Sequence, residues 1–180
     1  DYNLRSDNRE SNIKLNIPII ASAMDSVVNP ETAIKLGQLG SLGVLNLEGI
    51  HTRYENPSEV FQEIASVNKK EYVKLMQEIY KKPIKHELII KTIQKIKSSG
   101  VLTAVSTTPQ RAEELGPIAQ NAGADLLIIQ STVIATNFVT NEKNKKLNLK
   151  EFCQKTNIPV LVGNTTTHEV TKELVKTGVK

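Results

Sequence analysis

Cysteine is nearly absent from this 180-residue chain: Cys153 stands alone. That excludes an intramolecular disulfide and suits a reducing, cytoplasmic setting. No apolar run approaches the ~20 residues a membrane-spanning helix needs, and no signal-peptide pattern opens the chain. The chain starts at Asp1 without a methionine, so a leading piece is expected to have been lost. His51, His86 and His168 lie far apart on different segments, and no spacing of ligand residues suggests zinc. No Gly-x-Gly-x-x-Gly follows an apolar run, which weighs against a dinucleotide-binding open sheet.

What is there is ordinary for a soluble globular protein: 39% hydrophobic and 23% charged residues. One domain with a sizeable core fits this length. The net charge of +4 is local rather than general. Between Val67 and Gly100 nine lysines face three glutamates, leaving the remainder at −2. That segment has no arginine and no platform of stacking aromatics, so the lysines read as solvated helix faces and a nucleic-acid function is rejected.

Along the chain, Asp1 to Asn16 is polar, without a period, and reads as an extended lead-in. Ile17 to Ala21 is a continuous apolar run that suits a strand, placed over Ile17 to Ala23, buried on both faces. It breaks at Ser22 into a polar cluster, and Asn29-Pro30-Glu31 follows as a helix start with Asn29 as N-cap. The helix runs to about Leu39. Gly43 to Leu47 is a second strand whose end, at Asn46, Glu48 and Gly49, is again polar. His51 to Ser99 reads as helical, with Val60, Phe61, Ile64 and Ala65, then Tyr72 to Tyr80, then Leu88, Ile89, Ile93 and Ile96 at helical spacing. Further strands fall at Leu102–Ser106, Leu126–Ile129 and Ile158–Val162. Their intervening helices start at Thr108-Pro109, at Leu149 and at Thr166, the last a capping-box candidate with Glu169. Glu31, Glu113 and Glu169 belong to first helical turns, where the macrodipole accounts for them.

Gly40, Gly100, Gly123 and Gly178 each close a helix just before an apolar strand. Strand, polar tip, capped helix and glycine repeat as a βα unit, and right-handed crossovers make the sheet parallel. Polar tips on nearly every strand, rather than at one switch point, favour a barrel over a doubly wound sheet. The count is about five, and Lys176 to Lys180 breaks off where a sixth strand begins. The fold class expected is therefore α/β, a partial TIM (β/α)8 barrel of about five parallel βα units, truncated before the catalytic loop. A half-open barrel exposes strand edges, so self-association or poor solubility is expected of the isolated chain.

The segment Pro18-Ile19-Ile20-Ala21-Ser22-Ala23-Met24-Asp25-Ser26-Val27 resembles the first-strand motif of the IMP dehydrogenase/GMP reductase family. Gly43-Val44-Leu45-Asn46-Leu47-Glu48-Gly49 with Thr52-Arg53-Tyr54-Glu55 resembles the IMP-dehydrogenase-related subgroup that lacks inserted CBS domains. The likeness runs from about Ile17 to Lys180, so residues 1–180 read as the amino-terminal part of one barrel domain, with 51–99 a helical segment in place of the CBS insertion.

The resemblance implies nicotinamide-dependent redox chemistry, with NAD or NADP, on a purine nucleotide, either IMP or GMP. It implies a cytoplasmic homo-oligomer, a tetramer when full length. It assigns Ser22 and Met24 to the nucleotide, reversing the reading the residues alone favour, in which Ser22 caps local backbone and Met24 packs beneath the helix. Gly163 and Asn164 match the fifth-strand tip that positions the nucleotide ribose, where a structural turn is an equal alternative on the residues alone. Gln130, Ser131 and Thr132 match the site near the nicotinamide ribose. There the family's dehydrogenases and reductases carry an acid in place of Gln130, and an amide binds a hydroxyl more weakly than a carboxylate; the plainer alternative is a strand end that serves only its own loop amides. Family chemistry runs through a cysteine that attacks the purine's second carbon to give a thioimidate. Cys153, in a helical stretch with no His or Arg beside it, cannot be that residue, so no catalytic residue is expected in this chain and it is expected to be inactive alone. Two other readings stay open: a non-catalytic purine-nucleotide-binding relative, and an unrelated phosphate- or FMN-binding barrel.

Overall fold

The structure is a computed structural model that describes residues 2–6, 9–131 and 147–180. Five strands, β3 (Ile20–Ala21), β4 (Leu42–Asn46), β5 (Ala104–Thr107), β6 (Leu126–Gln130) and β7 (Val160–Gly163), form one sheet in that order, every neighbouring pair parallel. The sheet curls into half a (β/α)8 barrel, as the strand-and-glycine rhythm predicts. Beyond β7 the backbone N–H of Lys180 donates to the carbonyl of Val160 at 2.9 Å, and Val179 is buried, so the chain continues alongside β7 where a sixth strand was expected.

The strands alternate sides. Leu42, Val44, Ala104 and Leu126 form the inner layer, while Leu45, Val105, Leu127 and Ile129 pack outward against the helices. Each fully buried side chain of this size contributes about 1.5–3 kcal/mol, so the outward layer dominates the hydrophobic stabilisation. The helices are α1 (Pro30–Gln38), α2 (Pro57–Ser66), α3 (Tyr72–Lys81), α4 (His86–Lys97), α5 (Ala112–Asn121), α6 (Leu149–Lys155) and α7 (His168–Val175). Asn29 caps α1 as expected: its side-chain oxygen accepts from the Thr32 N–H, and the Thr32 hydroxyl oxygen accepts from the Asn29 N–H, both at 2.8 Å. The helix packs so closely on β4 that a Cβ at Gly43 would fall 2.8 Å from the Ala33 Cα. The four helix-closing glycines take positive φ, for example +85° at Gly40 and +102° at Gly123, a region costly for other L-residues.

Three expectations need correcting. The lead-in is a hairpin, not a lone extended segment: β1 (Tyr2–Ser6) pairs antiparallel with β2 (Arg9–Leu15). Ile13 and Leu15 are buried on Leu42, Val44, Ala104 and Leu126, so the hairpin plugs the barrel at the amino ends of its strands. The first barrel strand is two residues long rather than seven, and Ile17, Ile19 and Ile20 are exposed. Pro18 has no N–H for a ladder, and β3 has a partner on one side only among the described residues. At the helix starts, the cap of α7 is Thr167, which accepts from the Val170 N–H, rather than Thr166. Likewise α5 begins at Ala112 behind Arg111, without a side-chain cap, so Thr108-Pro109 forms the preceding turn.

The segment 51–99 is helical, as expected, but it divides. Helix α4 joins the main core through Ile89, Ile93 and Ile96. Helices α2 and α3 build a separate small core of Ile50, Val60 and Ile79, with Tyr54, Phe61, Ile64, Leu75 and Met76 against it. The lysines of Val67 to Gly100 are exposed apart from Lys85, which pairs with Glu55 at 3.0 Å.

Candidate functional site

Parallel strands deliver all five carboxyl ends to one rim, the edge of a barrel where ligands bind. The tips of β6 and β7 are laced together by backbone: the Ser131 N–H donates to the Gly163 carbonyl at 2.8 Å, and the Asn164 N–H to the Ser131 carbonyl at 3.0 Å. With the turn after β5 they enclose a cleft of about 470 Å³ lined by Thr108, Pro109, Gln110, Gln130, Ser131 and Asn164. The structure thus brings together Gln130, Ser131, Gly163 and Asn164. Thr132 lies outside the described residues. A Cβ on Gly163 would meet nothing within 4 Å, so open space remains in front of that tip.

Ser22 and Met24 stand on the same rim at the other end of the sheet, at the tip of β3. Met24 is 53% exposed, so it does not pack beneath α1. Ser22 is exposed, and its hydroxyl makes no hydrogen bond among the described residues. Neither side chain is committed to the local structural role that was its plainer alternative.

What holds the β3 tip is Asp25, to which the sequence assigned no role. Its Oδ2 accepts from the Ile50 N–H at 2.8 Å and from the Tyr80 hydroxyl at 2.7 Å, and Oδ1 accepts from Asn46 Nδ2 at 3.4 Å. Gly49 makes this approach possible, since a Cβ there would lie 1.9 Å from Asp25 Oδ1. Burial, reinforced by the bond to Asp25, keeps the Tyr80 hydroxyl protonated well above the usual phenol range. The Arg53 guanidinium lies 5.6 Å over the Tyr80 ring and donates to the carbonyls of Glu48 and Lys82.

Glu48 plays the corresponding part at the next tip. Its Oε1 accepts from the Thr107 hydroxyl at 2.9 Å and from the Thr108 N–H at 2.6 Å, and Arg111 lies 3.7 Å from Oε2. Asn46 Oδ1 in turn accepts from the Glu48 N–H at 3.0 Å. So Asn46 and Glu48, marked in the sequence only by their position at a polar tip, organise the rim from beneath. Tyr80, Arg53 and Arg111 had no sequence signal pointing to the rim. They reach it from elements brought there by the fold.

His51 sits just behind this network. Its ring is tilted against Phe61 at 5.6 Å between centroids, and its Nε2 is buried without a partner. Burial lowers its pKa, with the field of Asp25 opposing. Cys153 is half-buried on α6, and burial pushes its thiol up to about 11, so it is no nucleophile. Among the described residues no three His, Cys, Asp or Glu side chains form a metal-binding group, and no helix is long and apolar enough to cross a membrane.

A half-barrel with its amino end plugged and a polar rim can be compared with known proteins at every level. An IMP dehydrogenase/GMP reductase domain model matches residues 2–180. An uncharacterized oxidoreductase of Mycolicibacterium smegmatis is 36% identical over 170 residues, which are 92% of this chain and 45% of that protein. The inosine-5'-monophosphate dehydrogenase of Cryptosporidium parvum is 28% identical over 182 residues, covering 93% of this chain and 42% of that protein. The chain therefore spans somewhat under half the length of these relatives. The crystal structure of an IMP dehydrogenase/GMP reductase-like protein from Corynebacterium glutamicum superposes with a TM-score of 0.86 at 30% identity, covering 97% of this chain and 46% of that one. Sequence, strand order and superposition agree along nearly the whole chain: it belongs to the IMP dehydrogenase/GMP reductase family.

Proposed function

We propose that this chain forms part of the mouth of a nicotinamide-dependent oxidoreductase that acts on a purine nucleotide, oxidising IMP or reducing GMP. The observation that carries this reading is the cleft of about 470 Å³ at the carboxyl rim of a family-matched half-barrel, with Gln130, Ser131 and Asn164 in its wall. That volume lies in the range of small-molecule sites. Its wall offers amide donors and acceptors and a hydroxyl, which suits ribose hydroxyls. Ser22 and Met24 would hold the nucleotide, and Gly163 and Asn164 would place its ribose. Gln130, Ser131 and Thr132 would hold NAD or NADP by the nicotinamide ribose. The bound cofactor would accept or give the hydride.

The covalent step of this reaction type would be attack of a cysteine thiolate on the purine's second carbon, with loss of hydride to the bound cofactor from IMP or of ammonia from GMP, leaving a thioimidate. Cys153 does not fit it, being half-buried on α6 with its thiol held protonated. The 180 residues supply no other cysteine, so the chain by itself is proposed to bind and not to turn over. In the same reading the helical segment 51–99 replaces a CBS insertion, and the full-length protein is a cytoplasmic homo-tetramer. A non-catalytic purine-nucleotide-binding role is the second reading, and the amide at Gln130 in place of an acid favours it. The third alternative, an unrelated barrel, falls with the family membership.

The test is titration of the purified chain with IMP, GMP and NAD(P), followed by backbone amide NMR. Nucleotide is expected to shift Ser22, Met24, Gly163 and Asn164, and NAD(P) to shift Gln130 and Ser131. Shifts confined to other elements, or none up to saturating nucleotide, overturn the site. A nucleotide response without any cofactor response favours the second reading. Turnover of NAD(H) or NADP(H) by the 180-residue chain would refute its inactivity.

A further inference from the structure

We infer that Tyr80 is a positioning residue: through Asp25 it latches the small α2–α3 lobe onto the loop that carries Ser22 and Met24, and so sets the geometry of that loop. The inference rests on the nucleotide-site reading for its ligand arm only.

The lobe has a core of its own, which meets the rim through Ile50 just beyond β4 and includes no residue of the β3 tip. What joins it to the β3 tip is polar. Tyr80 lies near the carboxyl end of α3, and its hydroxyl donates to Asp25 Oδ2 at 2.7 Å across 55 positions of sequence. The ring is held in place by the Arg53 guanidinium on its face, and Arg53 is itself tied to the Glu48 and Lys82 carbonyls. Asp25 is the middle of the loop it controls. The Met24 N–H donates to the Ser22 carbonyl, and the Val27 and Val28 N–H groups both donate to the Met24 carbonyl, each at 2.8 Å. Residues 22–28 are thus wound into turns, with Val28 seated in the main core at one end and Ala23 against the inner layer, and among the described residues their side-chain hydrogen bonds to the barrel and the lobe all come from Asp25. Ser22 and Met24 are exposed, without packing to hold them, so their placement depends on this anchor. The bond is charge-assisted and partly shielded, the kind whose loss is felt.

The experiment is hydrogen exchange on the full chain, read peptide by peptide, with Tyr80→Phe against wild type. The variant keeps the ring and its contact with Arg53 and removes only the hydroxyl. Exchange across residues 22–28 is expected to speed up by about tenfold, with α4, β5 and β6 unchanged, since a tenfold change corresponds to a lost charge-assisted bond at the low end of its range. Nucleotide affinity is expected to fall by about five- to tenfold. Tyr54→Phe, which removes a bond to the Ile79 carbonyl inside the same lobe, is expected to leave residues 22–28 alone. Asp25→Asn should speed exchange of the same loop, and the Tyr80→Phe/Asp25→Asn double variant should fall short of the product of the two single effects, because both act on one bond. Unchanged exchange at 22–28 in Tyr80→Phe, or an equal response in Tyr54→Phe, overturns the latch. If Tyr80→Phe misfolds, Tyr80→Leu read against the same Tyr54→Phe control decides. Wild-type protein that binds no purine nucleotide would sink the site reading while leaving the exchange result to judge the latch.

Discussion

Replacing Gly49 by alanine would place a methyl carbon 1.9 Å from Asp25 Oδ1, 2.6 Å from its Cγ and 2.7 Å from its Oδ2. The backbone there, φ −88° and ψ −169°, is open to any residue, so the penalty is one of contact and not of conformation. Gly49 is buried, and the clash is relieved only if Asp25 leaves its seat. Asp25 would then give up the Ile50 N–H and the Tyr80 hydroxyl. Hydrogen bonds to a charged acceptor contribute about 1.5–3 kcal/mol each, and the partial exposure of Tyr80 puts both toward the lower end. Alanine returns about 0.5–1 kcal/mol by restricting the unfolded chain. The net expectation is a loss of about 2–3 kcal/mol, or roughly 5–10 °C in Tm for a domain of this size. Thermal melts by circular dichroism measure it, and urea midpoints check that the unfolding slope is unchanged. In an Asp25→Ala background the same Gly49→Ala change should cost almost nothing. A Tm within about 2 °C of wild type, or an equal cost with Asp25 absent, would show that this contact does not organise the rim.

Gly163→Ala should be the opposite case. With nothing within 4 Å of the added methyl the stability should stay within about 0.5 kcal/mol, while the methyl, standing at the open tip beside Asn164, weakens purine-nucleotide binding by about tenfold in a calorimetric titration. His51 should give the chain an acid-side weakness. Its folded pKa is depressed by burial, so it takes up a proton on unfolding; stability is full above the unfolded value of about 6.5 and drains as pH falls toward the folded value. His51→Phe, which also removes the partnerless Nε2, should therefore lose less Tm than wild type between pH 7.5 and 5.5. Cys153, with its thiol pushed up to about 11, is ionised in only about one molecule in a thousand at pH 8. A disulfide reagent should label it at least tenfold faster in urea than in the folded chain.

The parts of the fold that could be read from the sequence are those written in local chemistry. Asn29 before Pro30 states a cap and a first helical position, and the glycines at 40, 100, 123 and 178 state where each helix must turn back toward a strand. Those signals, with apolar runs between, are enough for parallel βα units. The hairpin is hidden in the sequence because Ile13 and Leu15, which it buries, are two residues, and two residues make no period. The cap of α7 was misread because Thr166 and Thr167 are adjacent, and Thr166 alone has a Glu three residues on; the helix instead starts one residue later and puts Glu169 at its second position. At the site, the polar tips were legible, and Gln130, Ser131 and Asn164 stand in the wall of the cleft beside Thr108, Pro109 and Gln110, which carried no such signal. The residues that hold them were not. Asp25 lies inside a motif that looks complete without a role for it, and Tyr80 sits on an amphipathic helix where any tyrosine would pass as packing.

The held tips give the rim a property that no single strand shows. Going round the sheet, β3 is fastened to β4 by Asp25 on the Ile50 N–H, and β4 to β5 by Glu48 on Thr107 and Thr108. Then β5 meets β6 through the Ser106 hydroxyl on Gln130 Oε1, and β6 meets β7 through the Ser131 backbone on Gly163 and Asn164. Each link joins only neighbours, and together they run from the tip that carries Ser22 and Met24 to the tip that carries Asn164. A ligand that touches both ends gains from every link already in place, because ordering done before binding is not charged against affinity. The weakest link is the Ser106–Gln130 contact, at 3.5 Å the limit of a hydrogen bond and made between two neutral groups. It falls between the turn after β5 and the β6 tip, the two elements that wall the cleft on that side. The backbone ladder beneath it, from Ala104 against Leu126 to Thr107 against Ile129, keeps the two strands in register, so what is left free to adapt to a ligand at this point is the Ser106 and Gln130 side chains and not the strands that carry them.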